Sequence, residues 1–117
     1  MHELEIRRGA VFRAHQWVLV DDDGAPLRPD GRSLTVVSKV RRAANSTQVL
    51  HTFGTAIVQL VLPDEYDDQP VLAAQLNPMT AEQTAALGFD RGVYDILVDD
   101  QLIFPTTTVT APWVASR

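Results

Sequence analysis

The nine residues LTVVSKVRR at 34–42 place Leu34, Val36, Ser38 and Val40 in one row and Thr35, Val37, Lys39 and Arg41 in the other, the second row turning polar toward its end. A spacing of two sorts side chains this way only when successive residues point to opposite faces, so a half-buried strand is expected here. VYDILVD at 93–99 repeats the signature, with Tyr94, Ile96 and Val98 on one face and Asp95 and Asp99 on the other. Working outward from these two, strands are also expected at 4–8, 48–53, 56–62, 71–76 and 107–111. The stretch AVFRAHQWVLV at 10–20 is β-rich, yet neither face is clean. Phe12, Ala14, Val18 and Val20 share one side with Gln16, while Val11, Trp17 and Leu19 share the other with Arg13 and His15. A bulge, or a partner lying on the second face, accounts for that mixture.

Turn chemistry separates the strands. Asp21-Asp22-Asp23-Gly24-Ala25-Pro26 ends the long apolar stretch, Pro29-Asp30-Gly31 makes a second turn, and DEYDDQP at 64–70 is an acidic loop bracketed by prolines. The one helical segment is TAEQTAAL at 80–87. Thr80 followed three residues later by Gln83 has capping-box spacing, and Gly88 supplies a C-terminal stop, which fits about two turns. Seven to eight short strands with one short helix predict an all-β fold, an antiparallel sandwich or barrel. At 117 residues and 12.9 kDa the chain, 1–117, is expected to be a single domain.

Composition removes several function classes. The chain has no cysteine, which excludes disulfides, thiolate metal sites and a Cys nucleophile. No apolar run approaches the ~18 residues of a membrane span, and MHELEIRRG at 1–9 is charged where a secretory signal is apolar, so a soluble chain without an export route is expected. Fifteen acids against ten bases give a formal charge of −5, and Lys39 is the only lysine among the bases. Nucleic-acid binding loses ground on that balance, because phosphate neutralisation requires a basic surface.

Residue chemistry points the same way. The aspartates at 21–23 and the acids at 64–68 invite a calcium reading, but they lack the alternating oxygen ligands and distant glutamate of an EF-hand, so solvated loops are expected, with calcium left as the open alternative. His2, His15 and His51 are not spaced as metal ligands, no serine lies in a G-x-S-x-G elbow, and no glycine-rich phosphate loop occurs among six glycines. No catalytic residue, cofactor site or metal site is therefore assigned. The eight aromatics are dispersed, which disfavours a stacking platform. Trp17 and Trp113 stand out as amphipathic side chains able to anchor a partner.

The order of these segments carries further information. Gly9-Ala10-Val11-Phe12 is followed by the strand with Trp17, the Asp23-Gly24-Ala25-Pro26 turn, the strand at 34–41, LNPMTAEQTAAL at 76–87, Gly92-Val93-Tyr94-Asp95 and finally Val109-Thr110. In that order and spacing the chain resembles the small immunoglobulin-like β-sandwich proteins of tailed-bacteriophage virions. It departs from them at Arg28-Pro29-Asp30-Gly31, where a Leu-Thr-Gly is usual, and at Ala111-Pro112-Trp113, which extends beyond the final strand.

The resemblance implies an Ig-like antiparallel sandwich without catalysis: a minor tail protein at the tail tip, collar or baseplate, assembled in the host cytoplasm into the virion. Implied partners are other virion proteins (tail tube, tail tip or fibre proteins), with a homo-oligomeric ring and neither nucleic acid nor membrane insertion. Capsid decoration and receptor or carbohydrate binding are the alternatives. Expected partner contacts are Leu4, Ile6 and Arg8 on the first strand, Trp17, and Trp113 with Arg117 on the tail. Truncation after Pro112 is expected to leave the fold intact, because those residues lie past the last strand.

Overall fold

A computed structural model describes residues 2–31, 33–62 and 68–114. Nine strands and one helix follow in chain order: β1 (Leu4–Glu5), β2 (His15–Val18), β3 (Val36–Arg41), β4 (Val49–Thr52), β5 (Thr55–Leu60), β6 (Val71–Leu76), α1 (Ala81–Ala85), β7 (Arg91–Val98), β8 (Gln101–Leu102) and β9 (Thr107–Thr110). They form two sheets, one ordered β1-β9-β7-β3-β4 with β8 added to β7, the other ordered β2-β6-β5. Strands adjacent in sequence repeatedly change sheet, as in the Greek-key connections of an immunoglobulin-like sandwich.

The period-two rows become the two faces of these sheets. Val36, Ser38 and Val40 of β3 lie opposite Val98, Ile96 and Tyr94 of β7, and Val40, Tyr94 and Ile96 are fully enclosed. Leu72, Ala74 and Leu76 of β6 meet them from the other sheet. Burying apolar area of this kind contributes about 25 cal/mol per Å². Ser38 is the one polar side chain in its row, and its buried Oγ donates to the Asp95 carbonyl at 2.7 Å. A small hydroxyl thus fills a position where the neighbouring backbone comes close.

The expected all-β sandwich is present, and two details within it differ from the sequence expectation. The sandwich is not wholly antiparallel: β1 pairs in parallel with β9, Leu4 opposite Val109 and Glu5 opposite Thr110. The strand expected over 10–20 shortens to β2, with Phe12 held separately by a bridge to Met79. Arg13 and Ala14 belong to no strand, so the alternation breaks between them and Phe12 turns inward together with Trp17 and Leu19. In the opposite row Gln16 and Val20 are exposed and Val18 is half-buried. This break explains why neither face of the segment reads as apolar.

β4 and β5 are nearly continuous. The Phe53 amide donates to the Ser38 carbonyl while the Asn77 amide donates to the Gly54 carbonyl, so the chain leaves one sheet and joins the other at this corner. The helix keeps its expected cap: the Thr80 hydroxyl accepts from the Gln83 amide, and the Gln83 side chain accepts from the Thr80 amide. Thr84 on the buried side of α1 accepts from the Gly9 amide at 3.0 Å and donates to the Ala10 carbonyl at 2.8 Å, fastening the helix to the segment before β2. β8 was not foreseen. It folds back on β7 through Asp99 and Asp100, whose φ values of 50° and 68° match a two-residue hairpin turn.

Candidate functional site

The two ends of β7 define two chemically different ends of the sandwich. At its start, Asp90 receives the guanidinium of Arg8, whose Nε also donates to the Ala111 carbonyl at 2.6 Å. The Arg8 side chain lies 4.7 Å from the centroid of the Trp113 ring, within range of cation–π attraction. Trp113 continues the pairing of β1 with the C-terminal segment: the Arg8 amide donates to the Pro112 carbonyl, and the Val114 amide donates to the Arg8 carbonyl. Trp113 nevertheless remains 57% exposed. It is a fixed aromatic protrusion rather than a loose tail.

At the other end of β7 the sheets part around a recess of about 410 Å³. Its walls include Trp17, Leu19, Leu27, Leu34, Val98 and Phe104, and exposed Val20, Asp22, Asp99 and Leu102 stand at its rim. The Trp17 ring packs on Phe104 with centroids 5.6 Å apart, and His2 stacks on Phe104 at 4.1 Å. Tyr94 lies beneath, edge-on to Phe104, and its hydroxyl donates to the His2 carbonyl. Burial pushes the Tyr94 phenol up to about 12. The floor of the recess is therefore a rigid aromatic stack, while its mouth is formed by two aspartate turns.

These turns have a structural explanation. The Asp21 carboxylate accepts from the Asp23 and Ala25 amides at 2.9 and 3.0 Å, closing the first turn. The Asp99 carboxylate accepts from the Thr35 amide at 2.9 Å, tying the second turn to the segment before β3. Among the described residues no group of three or more His, Asp or Glu side chains is placed to hold a metal ion. The acidic loop at 64–67 lies outside the described residues.

A second cavity, of about 510 Å³, opens beside the β4–β5 corner and is lined by His51, Thr52, Asn77, Met79 and Gln83 among others. His51 pairs across from Val40, so its ring faces inward and meets the edge of Phe53. Its buried Nε2 has no hydrogen-bond partner, and burial lowers its pKa, which favours the neutral imidazole. Among the described residues no histidine forms an ion pair with a carboxylate.

The expected contact residues separate into three groups. Leu4 and Ile6 are core side chains, at 5% and 0% exposure, and Arg8 is buried in its contacts with Asp90 and Ala111, so these three side chains are unavailable to a partner. The reason is that β1 lies over the sandwich edge beside β9 and turns its apolar row inward; only its backbone edge is left open. Trp17 is half-buried in the recess, whereas Trp113 is exposed at the opposite end, so the two indoles do not share a groove. Arg117 lies outside the described residues. Phe104, Leu27 and Ile103, which shape the recess, belonged to no expected strand; the paired aspartates between two apolar runs, ILV and LIF, were the one local sign of the hairpin that places Phe104.

In comparison with known proteins, no family model matches the chain, and neither does any curated protein or solved structure.

Proposed function

We propose that this β-sandwich is a non-enzymatic structural protein of a bacteriophage virion, a minor tail protein at the tail tip, collar or baseplate that acts through protein–protein interfaces. The observation that carries the reading is the nature of its prominent surface features. They are contact features: a fixed, exposed Trp113 at one end and an aromatic-floored recess at the other. Exposed Trp side chains of this kind are among the residues that dominate interface energetics. Open strand edges at β1 and β5 add backbone groups able to pair with a neighbour. Placement in a phage tail rests on the ordered sequence resemblance.

Mass spectrometry of purified particles combined with gold-labelled antibody imaging tests this reading. Label at one end of the tail is the expected result. Label spread over the head replaces it with capsid decoration, and absence of the chain from the particles overturns it.

A further inference from the structure

The two ends of the sandwich are complementary to each other. An eight-residue β7 separates them by about 24 Å. At the same end of the sandwich as the Trp113 protrusion, where β7 starts, lie the exposed Arg42 and Arg91 and three ion-paired arginines, Arg7 with Glu5, Arg8 with Asp90 and Arg41 with Asp95, which leaves this group basic on balance; the Arg41–Val93 pairing and the Arg8–Asp90 contact place them there. Where β7 finishes lie Asp21, Asp22, Asp23, Asp99 and Asp100, all exposed, with Asp22 and Asp99 bordering the apolar recess. One end is an aromatic knob on an end of the molecule that is basic on balance, and the other is an apolar socket with an acidic rim.

Size agrees with this pairing. A cavity of about 150 Å³ suffices for benzene, so a recess of about 410 Å³ has room for an indole and part of the chain that carries it. The knob is also preorganised, because Arg8 covers the indole and Val114 is hydrogen-bonded to the Arg8 backbone. Little side-chain freedom remains to be lost on docking.

The geometry points to a second copy of this chain as the occupant of the recess: Trp113 of one molecule enters the socket formed by Trp17, Leu34, Val98 and Phe104 of the next. Because knob and socket are different patches, the contact is heterologous and propagates head to tail, closing into a ring or continuing as a stack according to the rotation per subunit. Opposite charges at the two ends orient the approach. This inference rests on the interface reading above but not on the location in a virion.

Sedimentation velocity of the purified full-length chain over a concentration series tests it. The wild-type chain is expected to self-associate, less strongly as salt rises from about 0.05 to 0.5 M because screening weakens the charge pairing. Trp113→Ala removes the knob and Val20→Arg obstructs the socket rim; both positions are exposed, and circular dichroism checks that each variant is folded. Each alone is expected to weaken association by about 30-fold or more, the loss typical of an interface hot spot. Mixed together they should form one-to-one dimers, since one variant keeps the socket and the other the knob.

A monomeric wild-type chain, or a mixture that does not dimerise, overturns the inference. So does a monomer carrying a small apolar molecule in the recess, detected by native mass spectrometry. A monomeric chain that is nevertheless found at the phage tail rejects head-to-tail assembly while leaving the proposed function standing; a self-associating chain absent from particles does the reverse.

Discussion

Thr84→Val is the sharpest test of how the helix is held to the sandwich. Valine reproduces the shape of threonine but removes a hydroxyl that accepts from the Gly9 amide and donates to the Ala10 carbonyl. Thr84 is fully buried. Gly9 is exposed and Ala10 half-buried, so water recovers part of the loss, and each abandoned backbone group falls near the low end of the 1–3 kcal/mol range for an unsatisfied polar group. The expected destabilisation is about 2 kcal/mol, which for a chain of this size lowers Tm by about 8 °C. Thr84→Ser keeps the hydroxyl and removes one methyl group, costing about 1 kcal/mol. Urea and thermal unfolding followed by tryptophan fluorescence should rank wild type above serine and serine above valine. A valine variant as stable as wild type, with serine the less stable of the two, would refute the argument, because the methyl group and not the hydroxyl would then be holding α1.

Four further outcomes are expected. Gly92→Ala places a Cβ 2.6 Å from the Arg41 carbonyl oxygen and 3.0 Å from Val40 Cγ1, so β3 and β7 must separate locally, at a cost of about 2 kcal/mol in chemical denaturation. Asp100→Gly relieves a φ of 68° in the β7–β8 turn and should stabilise the protein by about 0.5–1 kcal/mol, read as a raised Tm. Truncation after Pro112 removes the Arg8–Trp113 contact and the Val114 hydrogen bond; the remainder should still unfold cooperatively but lose about 1–2 kcal/mol. For His51 the folded pKa lies below the ordinary 6.5, so between those two values the unfolded chain binds more protons. The contribution is complete above pH 6.5 and is lost as pH falls through the folded value; His51→Gln should flatten the stability profile in that window, and an unchanged profile would show that His51 does not set it.

Residues 34–42 and 93–99 show why so much of the strand pattern was legible in advance. Each segment's alternation is a local property, and a row such as Tyr94, Ile96 and Val98 must find an apolar interior whichever strands flank it. The helix was equally local, because Thr80 and Gln83 form its cap within one turn. The segment at 10–20 was not legible to the same degree. Its two candidate faces differ by a break at Arg13–Ala14, and only contact with β6 and Met79 decides that Phe12 and Trp17 turn to the same side.

The candidate site divides along the same line. Trp17 and Trp113 could be singled out by residue type, since a large amphipathic ring is conspicuous wherever it lies. Their roles could not, because they depend on groups distant in sequence: Trp113 is held by Arg8, 105 positions earlier, and Trp17 faces Phe104 across the mouth between the sheets. Leu4 and Ile6 were open to either reading until β1 was seen to pair in parallel with β9 and turn both side chains inward.

By itself, then, the sequence determined the all-β class, the faces of the strands at 34–42 and 93–99, the helix cap and the turn at Asp21–Pro26, for all of these are set by a side chain's relation to neighbours within a few residues. Tertiary structure alone decided the parallel β1–β9 pair, the burial of Arg8, the aromatic recess and the separation of basic knob from acidic socket. Strand pairing is a non-local choice: alternation states which face of a strand is apolar but not which strand will lie beside it, and both ends of this molecule are made by pairings between segments far apart in the chain.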